Sequence, residues 1–349
     1  MPISYALKGS VGSATSLEDD TFESEVEAAW FSATLDRKRM KQLMLRSDAA
    51  GFKHFGLWGV LLIGSLVGVV TTWLSWATIP FLAVYGLMYA MSDHHAHELS
   101  HGTPFKNRKI NEPLYFLNAF MTLHEAHYWR WSHTRHHTDT MLVGRDPEIA
   151  VQRPTKMLHM LLDFAFLRGG WGQIKNIVRI SVTGKVAGDG ALFVPPSEVG
   201  KVVRNSRIYL VILLSVPVAS VITQSWLPLV LVVTPRFWGG LFAQVFNITQ
   251  HAGLPENVRD HRLNTRTVLM NPVFRFMYMN MNFHVEHHMF PMVPFHALPV
   301  LHAEMADQCV PASRSVLAAW RELLPAVLIQ RRNPEYFIAR ELPLHSFGL

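Results

Sequence analysis

The 349-residue chain is 49% hydrophobic and 17% charged, with a mean hydropathy of +0.14; a soluble domain usually carries about 25% charged residues. Its single cysteine, Cys309, excludes an intrachain disulfide and a Cys-ligated iron–sulfur centre. The net charge of +6 flanks apolar blocks, so it reads as membrane anchoring and excludes nucleic-acid binding as the expected role.

The first 20 residues hold no apolar segment, so no signal peptide is visible, and residues 1–50 read as a cytoplasmic tail. Arg37, Lys38, Arg39, Lys41, Arg46 and Lys53 follow. Phe55 to Met91 is then 37 residues without one Asp, Glu, Lys or Arg, and Tyr209 to Asn247 is 39 with a single charge, Arg236. A membrane helix needs about 20 apolar residues, so each block fits two passes, at about 55–75, 79–93, 208–223 and 226–247. Pro80 suits the first turn of the second helix, and Thr223, Gln224 and Ser225 suit the turn of the second hairpin. The expected fold is all-α and integral to the membrane: four transmembrane helices in two hairpins, over residues 51–310, with a cytoplasmic helical cap holding a His-rich dimetal site. Residues 311–349 read as a cytoplasmic tail. The alternative is two core hairpins of a soluble protein. Basic residues before the first hairpin and after each hairpin put both termini and the histidine-rich loops on the cytoplasmic side.

Those loops carry the chemistry. After the first hairpin come His97-x-x-x-His101 and His133-x-x-His136-His137; after the second come His251 and His284-x-x-His287-His288. On a helix, residues i, i+3 and i+4 share a face, so each H-x-x-H-H presents three imidazoles to one spot. Asn247 and His251, four apart, add an amide and an imidazole. Nine His are too many for one tetrahedral zinc and suit two metals with open positions. Imidazole alone does not choose among iron, zinc, copper and nickel. Asp93, Asp139 and Glu286 are candidates to orient the rings by hydrogen bonds. His54, His159, His302 and His345 read as structural; His94, His95, His124 and His127 lie near the boxes but off their spacing. Residues 97–101, H-E-x-x-H, also match a zinc-protease helix with Glu98 as base, but that reading leaves both H-x-x-H-H sets unexplained. A metal transporter would place its ligands within the membrane, whereas these lie beyond the helix ends. Arg236, a lone charge in an apolar block, either contacts a polar substrate or snorkels to lipid phosphate. Along a continuous helix it would share the face of Asn247 from roughly 16 Å away.

With "HELSH", "WRWSHTRHHTDT", "NITQH" and "NFHVEHHMFP" in this order around two hairpins, the chain resembles the membrane fatty acid desaturase superfamily over roughly residues 50–310. The resemblance implies metal roles for His97, His101, His133, His136, His137, His251, His284, His287 and His288, and a water-mediated role for Asn247. It also implies two Fe2+ ions as cofactor and O2 as co-substrate. "QHAGLPENVRDHRLNTRTV" and "MNMNFHVEHHMFPMVP" further resemble a bacterial branch containing rhizopine-oxygenase-like proteins and dihydrorhizobitoxine desaturase, which implies a bacterial inner-membrane location. The expected activity is O2-dependent desaturation of an acyl chain or a small polar metabolite, with hydroxylation or demethylating oxygenation as the alternative. No haem motif or ferredoxin cysteines occur in the chain. Electrons are therefore expected from a separate ferredoxin, Rieske-type protein or cytochrome with its reductase, docking near Lys106, Arg108 and Lys109; membrane lipids are the other expected partner.

Overall fold

The computed structural model describes residues 30–343. Most of the tail read at the N-terminus, and His345, lie outside them. Every regular element among the described residues is helical; Val268 and Ser313 form one isolated bridge.

A short helix α1 (Arg37–Leu43) leads into α2 (Asp48–Thr71), which starts where the Ser47 side chain caps the Ala50 N–H. Helix α3 (Thr78–Ala90) returns along it and is followed, after Met91, by α4 (Ser92–Ser100), which carries the first histidine box. Next come α5 (Arg108–Met121) and α6 (Ala126–Asp139), the latter capped by Glu125 on two backbone N–H groups and bearing the second box. Helices α7 (Met157–Phe164) and α8 (Leu167–Thr183) precede α9 (Pro196–Ile222). At about 1.5 Å per residue, α9 is roughly 40 Å long, more than a bilayer's hydrocarbon core. Its first turns, with Glu198, Lys201 and Arg204, are polar.

Two segments are long and apolar enough to cross a membrane, Arg37–Thr71 and Pro196–Ile222, and only 33% and 28% of their apolar windows are buried. A soluble core hairpin would hide most of that surface. Here Leu57, Val60, Ile63, Val211, Leu214 and Val218 all face outward. Trp76 and Trp226, at the turns of the two expected hairpins, are 88% and 73% exposed.

The other two expected spans differ from continuous 20-residue rods. The second is the 13-residue α3. The fourth is broken into a π-helical stretch (Leu229–Val233), α10 (Pro235–Gly239) and α11 (Leu241–His251). Pro235 has no N–H for the preceding turn, and the freed carbonyls find donors: Tyr85 O–H bonds Leu231 O at 2.6 Å and Tyr89 O–H bonds Val232 O at 2.7 Å. The break lets α10 lie directly on α3. A Cβ on Gly239 would stand 2.1 Å from the Gly86 carbonyl oxygen, and one on Gly86 would enter the Trp238 ring.

Short helices α12 (His261–Asn264), α13 (Pro272–Met277), α14 (His284–Met289) and α15 (Leu298–Met305) complete the histidine-bearing region. Residues 311–349 do not read as a tail throughout: α16 (Val316–Gln330) packs on α11, burying Leu323 and Val327, and Trp320 Nε1–H bonds Val245 O. The N-terminal stretch is likewise tied down from Thr34 on, through paired hydrogen bonds with the Gln308 side chain.

Candidate metal centre

Helices α4, α6, α11 and α14 bring the nine box histidines together in two adjoining clusters. His97, His101, His133, His137 and His287 form one; His136, His251, His284 and His288 form the other, and within each the candidate ligand atoms lie within 4.8 Å of one another. This corrects the expectation that each H-x-x-H-H presents all three rings to one spot: the rings of each motif divide between the clusters. On α6, His133 and His137 are one turn apart and face one cluster, while His136 turns to the other. On α14, His284 and His288 go together and His287 goes the other way. The clusters share a border: the His137 and His288 rings stack with centroids 4.4 Å apart.

The rings meet through Nε2. These atoms are 2.7 Å apart in His97 and His287, 3.1 Å in His101 and His133, 3.0 Å in His133 and His137, 3.2 Å in His251 and His284, and 3.1 Å in His284 and His288. Nitrogens side by side on one metal, each bonded at about 2.1 Å, sit roughly 3 Å apart, so this donor set fits bound metal. Four of the opposite ring nitrogens are held from behind, while Nδ1 of His137 and of His287 is buried without a partner. His133 Nδ1 lies 2.9 Å from Glu148, His136 Nδ1 2.9 Å from both Asp146 oxygens, His251 Nδ1 2.9 Å from Asn264 O, and His288 Nδ1 3.0 Å from Thr140 Oγ1. An Nδ1–H donated to such an acceptor leaves the Nε2 lone pair for a metal.

Electrostatics keep most rings in the ligating form. Burial, then the neighbouring imidazoles, holds His97, His101, His137, His284, His287 and His288 well below the ordinary histidine range. The same causes put His251 at about 3. His136 goes the other way: burial lowers it, but the Asp146 carboxylate outweighs burial and raises it.

The acids expected to orient the rings are elsewhere. Asp139 pairs with Arg135 and Arg145; Glu286 accepts from Thr267 Oγ1 and meets His302 Nδ1; Asp93 takes hydrogen bonds from Arg236 and Asn247. Asp146 and Glu148 take that place. Their only sequence signal was a carboxylate pair, "RDPE", in the loop after the second box. Glu98 lies in α4 beside His97, yet its carboxylate accepts from Thr103 Oγ1 and Phe295 N–H, away from both clusters, and it does not line the cavity beside them. Among the histidines off the box spacing, His94 bridges Met277 O and Asn247 Oδ1, His95 meets His54, and His124 stacks on Trp129.

Arg236 is 3% exposed and its Nη2 lies 3.0 Å from Asp93 Oδ2, so it does not snorkel to the surface. Nor is it three straight turns from Asn247: the helix is interrupted at Gly240, and Asn247 Nδ2 lies 3.0 Å from the same Asp93 oxygen. Arg236 also covers the Phe166 ring at 4.5 Å.

A cavity of about 530 Å³ opens beside the clusters. His97 and His133 of one cluster border it, as do His136, His251 and His284 of the other. Its remaining wall is mixed: Asp93, Arg236, Gln244, Asn247, Gln250 and the ion pair of Asp163 at the end of α7 with Arg168 at the start of α8 stand beside Trp129, Met141, Val151, Phe166 and Ile248.

The fatty acid desaturase family model matches residues 28–320. No curated protein matches the chain.

Proposed function

The chain belongs to the fatty acid desaturase family, and from that premise we propose that it is a membrane-embedded, O2-dependent oxidoreductase whose nine clustered histidines hold two iron ions and whose substrate is a small polar molecule. Oxidoreductase chemistry of the desaturase or oxygenase type, in a membrane-associated chain, follows from the family itself. The observation that carries the rest is the pair of His clusters, five and four, opening onto one cavity whose wall includes the charged and amide groups of Asp93, Arg236, Gln244 and Asn247.

Bound iron supplies the power to reduce O2 and to take hydrogen from an unactivated C–H bond. Desaturation then balances as substrate, O2, two electrons and two protons giving an alkene and two waters; hydroxylation gives an alcohol and one water. The protein's own groups do the positioning. Asp146, Glu148, Asn264 and Thr140 fix the ring tautomers. Asp93 fixes Arg236 and Asn247 on the cavity wall, where an apolar tail gains little and a substrate with charged or hydrogen-bonding groups gains partners. The electrons come from a separate one-electron protein donor with its reductase.

The exposed apolar faces of α2, α3, α9 and the broken α10–α11 segment support four membrane-embedded segments. Arg37, Lys38 and Lys41 beside α2 support a cytoplasmic histidine region in a bacterial inner membrane.

The test is expression with a ferredoxin and its reductase, iron analysis, and product mass spectrometry against polar metabolites and long-chain acyl lipids. Two iron ions and O2-dependent loss of two hydrogens, or gain of one oxygen, from a polar compound is the expected result. A single zinc without O2 consumption removes the oxidoreductase reading; turnover confined to acyl lipids removes the polar substrate alone.

A further inference from the structure

The nine clustered rings are buried or half-buried, so a protein donor cannot lay its redox centre against them, and the cavity that reaches them is the place for substrate. A second approach exists that avoids the cavity. The half-exposed Trp30 stacks face to face on His261, centroids 4.2 Å apart and planes 10° apart. The His261 ring, 4% exposed, lies 5.1 Å from that of His288, a member of the four-His cluster. None of these three residues borders the cavity.

Trp30 is held in place rather than loosely draped. The Arg262 guanidinium covers the neighbouring Phe31 ring at 3.2 Å. Thr34 exchanges two backbone hydrogen bonds with the Gln308 side chain, and Arg39 pairs with Glu304 at 2.6 Å. The His261 Nδ1 is buried without a hydrogen-bond partner. The chain beside Trp30 is basic: residues 30–46 carry Arg37, Lys38, Arg39, Lys41 and Arg46 against Asp36 alone, and Arg37, Lys38 and Lys41 are exposed.

We infer that Trp30 and His261 are the relay through which an acidic, small one-electron protein passes electrons to the histidine clusters, with the α1 segment as its docking surface. Stacked π systems give a short, rigid electron path from a partly exposed ring to a ring beside the cluster. The basic segment supplies the complementary charge that steers an acidic donor. Each encounter moves one electron, so the donor is oxidised by one electron twice per turnover and the two electrons reach the metal centre in sequence. This inference rests on the diiron reading above.

The test uses the full-length, iron-loaded protein, oxidised to the ferric state, in neutral phosphatidylcholine nanodiscs and a reduced, acidic [2Fe–2S] ferredoxin as the probe, so that each iron can accept one electron. Oxidation of the ferredoxin is followed anaerobically by its own absorbance, and reduction of the protein by dithionite runs in parallel. Trp30→Leu, which keeps an apolar plug without a ring, and Trp30→Ala should each slow ferredoxin oxidation about tenfold, equivalent to roughly 1.4 kcal/mol of barrier. Trp30→Phe should retain most of the rate, and dithionite reduction and iron content should stay unchanged in all three. Ferredoxin binding to iron-free protein should weaken in Arg37→Glu/Lys38→Glu/Lys41→Glu and in high salt. Unaltered ferredoxin oxidation in both Trp30→Leu and Trp30→Ala overturns the relay; so does an equal slowing with dithionite, which would mark Trp30 as structural. Unchanged binding in the triple variant overturns the docking surface. An unmutated protein that holds no iron fails the diiron reading first, and the relay goes with it.

Discussion

At the residue scale, the ring-holding carboxylates separate from those that merely sit nearby. Asp146 meets His136 through both oxygens and also accepts the Met141 and Glu148 backbone N–H groups. Removing such a partner typically weakens metal binding about 10–100-fold. Asp146→Ala should therefore lose iron to a chelator at least about tenfold faster than the unmutated protein. Asp139→Ala, whose carboxylate meets only arginines among the described contacts, should hold iron normally. Equal iron retention in the two variants, measured by competition with a chromogenic chelator, would show that the carboxylate–histidine contacts do not serve a metal. The Arg236–Asp93 pair gives a second residue-scale expectation. Both side chains are buried, so Arg236→Leu leaves an uncompensated carboxylate and should cost about 3–5 kcal/mol. Arg236→Leu combined with Asp93→Asn should recover part of that loss in a thermal-unfolding cycle.

At the element scale, the break between α10 and α11 is what sets the cavity wall. A continuous helix from Trp226 to His251 would carry Arg236 far from Asn247; the interruption at Gly240 lets both donate to Asp93 on α4. The contact of α10 with α3 depends on two missing side chains. Gly239→Ala places a methyl 2.1 Å from backbone, which no rotamer change relieves. Separating these helices should cost at least the roughly 1–3 kcal/mol typical of overpacking. The measured consequence should be a lower unfolding midpoint in detergent together with a raised KM, because α10 carries Arg236. Gly59→Ala, where an added methyl meets nothing, is the control; equal midpoints for the two variants would refute the close-packing account.

At the scale of the whole molecule, the histidines make stability and metal binding depend on pH in the same direction. His251 is held near 3 in the folded protein by burial and His136, against an ordinary value of 6.5. Between those two values the unfolded chain takes up a proton that the folded chain refuses, so stability falls as pH falls through that window. The six rings held well below the ordinary range act with the same sign. His136 opposes them, since its raised value makes its contribution full in acid and lost as pH climbs through that value. His54, held at about 4, and His261, at about 3, add to the lowered rings, and Glu98 and Glu125, raised to about 7 by burial, side with His136; the more numerous lowered histidines set the outcome. The iron-free protein should unfold at a lower temperature at pH 5.5 than at pH 7.5, and the iron-loaded protein should release metal over the same range as protons compete for Nε2. A flat midpoint and flat iron content between those pH values would contradict the neutral-imidazole description.

Local chemistry made much of this protein legible in one dimension. The charge-free run 55–91 and the run 209–247 with Arg236 as its single charge announced apolar helices because burying a charge in hydrocarbon is costly whatever the fold. The i, i+3, i+4 histidines announced convergence because helical period is a property of the backbone. Their division between two clusters was not legible: spacing suggested one spot for each motif, whereas His133 and His137 go one way and His136 the other. What the period cannot carry is contact between segments far apart in the chain. That Asp146 and Glu148 rather than Asp139 and Glu286 meet the rings was decided by how the loop after α6 folds back on it. Arg236 and Asn247 meet at Asp93, 143 and 154 residues away, because a helix break and a glycine-to-glycine crossing bring α10 and α11 onto α3 and α4. Trp30 reaches His261 for the same kind of reason: a surface stretch is pinned by Gln308 and Glu304, 274 and 265 positions from Thr34 and Arg39. Backbone geometry repeats locally and can be read from spacing; hydrogen bonds and ring contacts between segments follow from packing, which exists only once the chain has closed on itself.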